Sequence, residues 1–179
     1  MARKRGALVA GALVLIVGTC AALAFALDRD LTARTLLFPL PIEELGGLRN
    51  SFNEKRGGRP HEAVDIMAAR GTAVLAVDDG RVAKLFLSIP GGKTIYQFDP
   101  SGTFAYYYAH LDRYADGLAE GAAVKRGDVI GYVGNTGNAA AIAPHLHFAI
   151  FRLGPERQWW KGTPIDPYPH FAIRPLPGG

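Results

Sequence analysis

The sequence predicts a mainly β, antiparallel fold, sandwich-like or barrel-like, preceded by one apolar N-terminal helix. Three observations predict it. The 179 residues include 22 Gly and 12 Pro, a composition of turns and short strands rather than of long helices. From residue 49 onward, short apolar runs alternate with turn residues. Ahead of them, residues 6–27 carry no charge. The length suits one domain with a sizeable core plus an extra segment.

The N-terminal run comes first. Met1-Ala2-Arg3-Lys4-Arg5 is a basic leader to an uncharged stretch of Ala, Leu, Val and Ile. As a helix, residues 6–27 would span roughly 33 Å, enough for a bilayer core. The positive-inside rule keeps Arg3, Lys4 and Arg5 in the cytoplasm and puts the chain after Asp28 on the other side. Ala22-Leu23-Ala24 and Ala24-Phe25-Ala26 both fit a small-x-small cleavage site. Residues 1–27 therefore read as a signal-anchor or a signal peptide, and the length of the run favours the anchor. Cys20, the only cysteine, excludes an intramolecular disulfide and a Cys-rich zinc site. Thr19 before it is a poor lipoprotein signal, so Cys20 reads as a small apolar residue of the helix. The formal charge is +4. Without Arg3, Lys4 and Arg5, 17 basic residues face 16 acidic ones, a balance that gives no footprint for nucleic acid.

Residues 28–48 read as a linker or an arm laid on the domain, with a short helix over 28–37 stopped by Phe38-Pro39-Leu40-Pro41. The core domain is expected over residues 49–172, with 173–179 as a tail. Strands are expected at residues 64–67, 73–77, 81–87, 94–98, 104–110, 129–133 and 145–151. Turns Asp78-Asp79-Gly80, Pro90-Gly91-Gly92 and Asp99-Pro100-Ser101-Gly102 separate them. Residues 111–118 read as weakly helical. Gly71-Thr72-Ala73-Val74 before Asp79-Gly80-Arg81-Val82 is echoed by Gly121-Ala122-Ala123-Val124 before Gly127-Asp128-Val129, as in a duplicated strand–turn–strand unit. Trp159, Trp160 and Tyr168 are expected to pack the terminal segment onto the sheet.

Chemistry concentrates in three places. In Pro144-His145-Leu146-His147-Phe148, residues i and i+2 of a strand share a face about 6.6 Å apart, so both imidazoles look into one pocket. In Pro60-His61-Glu62-Ala63-Val64-Asp65, a continuous strand would separate His61 from Asp65 by roughly 13 Å. The two meet only if His61 lies in a turn that folds back, which the Gly/Pro lead-in permits. His61, Asp65 and His147 then form a His₂Asp set with an open fourth position, the donor set of a catalytic zinc site. In Tyr106-Tyr107-Tyr108-Ala109-His110-Leu111, strand alternation puts Tyr106, Tyr108 and His110 on one face, with His110 placed for acid/base work or oxyanion stabilisation. Four of the five His fall in these places, which scattered core histidines would not do.

These residues carry a resemblance. Residues 52–171 resemble the LytM/lysostaphin-type zinc metallopeptidases through His61-x-x-x-Asp65, Tyr108-Ala109-His110-Leu111, Gly134-Asn135-Thr136-Gly137-Asn138 and His145-Leu146-His147-Phe148, in that family's order and spacing. The resemblance implies a compact antiparallel β fold with a catalytic groove and zinc held by His61, Asp65 and His147. It implies His110 and His145 as the catalytic pair, one moving protons and the other stabilising the oxyanion. It implies endopeptidase cleavage of peptide cross-links in bacterial peptidoglycan, at the periplasmic face of the inner membrane, or secreted if the signal is cleaved. Ala63 and Ala149 depart from the family's usual Gly and acidic or Gly residues, at positions that are not metal ligands.

Two other readings compete. A non-catalytic, wall-binding activator of other hydrolases would share the fold, but would be expected to have lost metal ligands. A barrel-sandwich carrier domain would match Val124-x-x-Gly127-Asp128-Val129-Ile130-Gly131, but would want a modifiable Lys in a tight hairpin, where Lys125 does not lie. His61-Glu62 lacks the second His of H-E-x-x-H, and Gly92-Lys93-Thr94 lacks the first Gly of a P-loop, because position 87 is Leu.

Overall fold

The computed structural model describes residues 31–141 and 143–172. The expected membrane or signal helix and the tail from 173 lie outside them. Among the described residues no helix is long and apolar enough to cross a membrane. The chain divides into two units, residues 1–34 and 35–179. Of the first, only residues 31–34 are described, with one 3₁₀ turn at Leu31–Ala33 where a short helix over 28–37 was expected.

The second unit is antiparallel β, as its alternating apolar runs dictate. Eleven strands are described: β1 Lys55–Arg56, β2 Arg59–Pro60, β3 Val64–Met67, β4 Ala73–Leu75, β5 Gly80–Ser88, β6 Gly92–Phe98, β7 Phe104–Tyr114, β8 Ala123–Val124, β9 Val129–Val133, β10 His145–Leu153 and β11 Gly162–Ile165. β1 and β2 form a separate hairpin, and the main sheet runs β11-β10-β7-β6-β5-β8. β3 adds to β10, and β9 joins β4 to β7. The echoed segments pair crosswise, β4 with β9 and β5 with β8, as two copies of one unit would.

All seven expected strands form. Residues 111–114 extend β7 instead of starting a helix. A bulge lies between Leu111 and Arg113, and β9 pairs with this extension, so tertiary pairing overrides the weak helical signal. β1, β2, β8 and β11 are short segments that carry no hydrophobic period. Trp159 packs on Phe86 and Tyr96, but Trp160 and Tyr168 stay exposed and do not help seal the terminal segment.

One face of the sheet is the core. Ile66, Ile95, Tyr106, Tyr108, Leu146, Phe148 and Ile150 are all buried, each apolar side chain contributing about 1.5–3 kcal/mol. The tyrosines keep their hydroxyls satisfied there. Tyr108 donates to Gln97 Oε1 at 2.8 Å and accepts from Val77 N, and Tyr106 donates to Asp78 Oδ2. Residues 36–39 are tied to the same body: Leu37 N donates to Val77 O, and Leu75 N donates to Pro39 O.

The turn Gly134-Asn135-Thr136-Gly137-Asn138 locks against the β5–β6 turn. Thr136 Oγ1 donates to Leu111 O and accepts from Lys93 N. Gly137 has φ +71, and a Cβ there would stand 2.3 Å from Gly92 N. Only Gly meets both demands. Gly137→Ala is expected to cost about 3 kcal/mol and to lower Tm by roughly 6–12 °C. An unchanged calorimetric Tm would show that the two turns do not need this contact.

Candidate active site

Three elements bring the predicted site residues together. Antiparallel register sets His147 opposite Asp65 on β3 and opposite Ala109 on β7, so these residues share the face away from the core. His61 follows β2, and Glu62 takes φ 58, a left-handed kink that turns the chain back before β3. This is the fold-back that the His61/Asp65 spacing required.

His110 reaches the site differently from the alternation expected. Tyr106 and Tyr108 point into the core, whereas His110 lines the cleft together with Tyr107, Ala109 and His147. Its φ of 62 breaks the alternation and swings the ring to the opposite face. His110 N, bonded to Gly91 O at 2.9 Å, holds the strained conformation, of a kind that clusters at functional sites.

The donor atoms converge. His61 Nε2 lies 3.1 Å from His147 Nδ1, His147 Nδ1 3.0 Å from Asp65 Oδ1, and His61 Nε2 3.3 Å from that same oxygen. A tetrahedral zinc site with bonds of 2.0–2.1 Å has donor–donor edges of about 3.3–3.4 Å. The observed edges therefore need to open by only a few tenths of an ångström, and the donor types suit zinc. Backbone carbonyls fix three of the four rings. His61 Nδ1–H donates to Ser51 O, His110 Nδ1–H to Thr136 O and His145 Nδ1–H to Ala143 O, which leaves Nε2 of each as the lone-pair atom. His145 Nε2 lies 3.9 Å from Asp65 Oδ2. The ring centroid of His110 is 4.9 Å from that of His145 and 5.5 Å from that of His147.

Sequence reasoning missed the supports. Ser51 Oγ accepts from Asp65 N and donates to Ala63 O, and Arg56 Nη2 contacts Asp65 Oδ2 at 2.7 Å. No spacing rule points to Ser51, 14 residues ahead of the carboxylate, and Arg56 sits in a hairpin with no periodic signal. The cleft, of about 170 Å³, is walled by Arg56, Pro90, Gly91, Tyr107 and Asn138 as well as His61, His110 and His147. None of its lining residues comes from residues 35–48.

The electrostatics separate the groups. Burial by itself raises the Asp65 carboxyl, but hydrogen bonds and charge from His147 and His61 override it and hold the group well below the usual carboxylate range. Burial, then the neighbouring His147 and His145, pushes His110 down to about 4, and burial also lowers His147. An unfolded His titrates near 6.5, so between about pH 6.5 and 4 the unfolded chain binds more protons than the folded one. Stability is present above that window and lost as pH falls through it. Metal-free protein is therefore expected to show a falling urea midpoint from pH 6.5 to 4, with a shallower fall in His110→Gln. A midpoint flat across that range would contradict the burial of neutral His110.

A His₂Asp donor set at a cleft, with the His110 and His145 imidazoles beside it, is an arrangement that can hold a metal ion. The comparisons give this class its family. The chain belongs to peptidase family M23, whose model matches residues 59–167. It is 35% identical over 141 residues to an L-Ala–D-Glu endopeptidase of Bacillus subtilis, covering 74% of this chain and 42% of that one. It is 35% identical over 92 residues to lysostaphin of Staphylococcus simulans, covering 51% and 18%. The chain thus spans less than half the length of these curated relatives. The solved catalytic domain of that lysostaphin superposes with a TM-score of 0.60 at 29% identity, over 73% of this chain and 96% of that domain.

Proposed function

We propose that the protein is a zinc metalloendopeptidase that hydrolyses peptide cross-links of bacterial peptidoglycan, the wall polymer of peptide-bearing glycan strands. Residues 49–172 are its catalytic domain and residues 1–27 its anchor or export signal, which would put the work on the periplasmic face of the inner membrane, or have the protein secreted if the signal is cleaved. The observation that carries this reading is the convergence of His61 Nε2, Asp65 Oδ1 and His147 Nδ1 within 3.0–3.3 Å of one another. The names of relatives, an L-Ala–D-Glu endopeptidase of Bacillus subtilis and a peptidoglycan DD-endopeptidase of Vibrio cholerae among them, add the substrate class.

His61, Asp65 and His147 would hold the zinc, which when bound supplies a Lewis acid and a water of lowered pKa. The remaining chemistry falls to His145 and His110. His145 Nε2 accepts the water's proton, with Asp65 Oδ2 as an ion-pair partner once the ring is charged, and returns it to the leaving amine. His110, kept neutral by burial and with Nδ1–H committed to Thr136, offers a lone pair at Nε2. That tautomer suits it to orient the water by accepting a hydrogen bond, in place of the oxyanion-donor role first expected for one of the pair.

The test is incubation of the full chain with purified cross-linked peptidoglycan. New amino groups should appear, stop with a chelator and return with zinc. Stoichiometric zinc binding without any release of amino groups would exclude the hydrolase.

A further inference from the structure

We propose that a strip of aromatic rings leading away from the metal-ligand cluster is a platform for the sugar rings of the glycan strand. This deepens the function proposed above and rests on it for the identity of the polymer. The strip starts at the site. Tyr107 stands edge-on to His147, with ring centroids 5.9 Å apart, and Tyr96 packs against Tyr107 at 4.6 Å. Trp159 follows at 4.8 Å from Tyr96 and touches Phe86 at 5.2 Å and Trp160 at 5.3 Å. Register puts Tyr107 opposite Tyr96, so both rings lie on the face that carries His147.

The strip runs across the strands, from β10 through β7 and β6 to β5, and this direction restricts what it can hold. β7 and β6 are interior strands with both edges paired, so a ligand on this face finds no free backbone ladder to join, as an added peptide strand would. It must be gripped by the faces of side chains. The grip is aromatic, and its tyrosine and tryptophan rings are amphipathic, with hydroxyl or N–H groups at their edges. Lys84, opposite Tyr96 and paired with Glu120, supplies a polar rim. A pyranose offers the complement: an apolar C–H face to lie on a ring and hydroxyl and acetamido groups to meet the rim. The outer end is open, with Trp160 62% and Phe86 38% exposed, and such adjoining exposed apolar groups mark interaction surfaces. Leu87 and Ile89, exposed on the same hairpin, are aliphatic and would suit a lipid surface, so vesicles are the control.

Trp159 and Trp160 are the chain's only tryptophans, so intrinsic fluorescence reports on the platform directly. The full chain is titrated with a soluble N-acetylglucosamine tetramer, with a sugar-free cross-linked stem peptide, and with phosphatidylglycerol vesicles. The tetramer should shift the emission saturably. By calorimetry, Trp160→Ala and, independently, Phe86→Ala should weaken its binding about tenfold while zinc affinity stays unchanged. No saturable shift, wild-type sugar affinity in both variants, or a response to vesicles in place of sugar would each overturn the proposal. The two readings fail separately. Sugar binding without hydrolysis would remove only the peptidase, and hydrolysis of the sugar-free peptide without sugar binding would remove only the platform.

Discussion

His147→Ala is expected to lose zinc and hydrolysis together. His147 Nδ1 is the central atom of the donor set, within 3.1 Å of both His61 Nε2 and Asp65 Oδ1. Without it two protein ligands remain, too few for the three that hold a catalytic zinc. Changes in outer-shell partners cost about 10–100-fold in metal affinity, so loss of a direct ligand should cost more than about 100-fold. Asp65→Asn tests the same centre without a cavity. The shape is kept, but the charge that neighbouring His147 and His61 stabilise is gone, and affinity should again fall beyond the outer-shell range. Competition with a chromophoric chelator measures the affinity, and amino-group release from peptidoglycan measures the activity. If His147→Ala bound one zinc as tightly as wild type, the assigned ligand set would be wrong.

The fold was legible because its signal is local. Strands β3 and β9 fall on their expected residues, and the apolar run of β9 is bounded by turn residues on both sides, Gly127-Asp128 and Gly134-Asn135. Most of the other runs extend beyond expectation by one to four residues, because strand ends are set by the partner strand and not by the run itself. The misreading of residues 111–114 has that origin. Nothing in Leu111-Asp112-Arg113-Tyr114 alternates cleanly, and it becomes strand because β9 lies beside it.

The site was legible in its residue types and only partly in its geometry. His145 and His147 share a face because strand period fixes it, and His61 met Asp65 because no other arrangement lets that spacing converge. His110 was placed on the wrong face. Alternation is a rule for extended backbone, and a φ of 62 suspends it. The cause is its bond to Gly91 on the β5–β6 turn, a long-range contact that leaves no mark in the local sequence. Ser51, Arg56 and the carbonyls of Thr136 and Ala143 were invisible for a related reason, since backbone groups and single polar residues in loops carry no periodicity.

His145→Ala and His110→Ala should separate chemistry from metal binding. Neither ring supplies a donor atom to the three-atom cluster, so both variants should keep zinc with wild-type stoichiometry. Backbone carbonyls take the Nδ1–H of both rings and leave Nε2 of each as the lone-pair atom, and a positioned general base contributes about 10²–10⁴-fold. The kcat of His145→Ala should fall by roughly 10³–10⁴, as the proton carrier is lost. That of His110→Ala should fall by about 10²–10³, as the water is misoriented but still deprotonated. KM should change little in either, because neither group binds the ground state. If the rings act as a unit, the double variant should be little worse than His145→Ala, not the product of the two losses. The order matters as much as the size. A zinc-loaded His145→Ala that kept the wild-type kcat would move the proton-carrying role away from this residue, and losses that multiply in the double variant would mean the two rings serve separate steps.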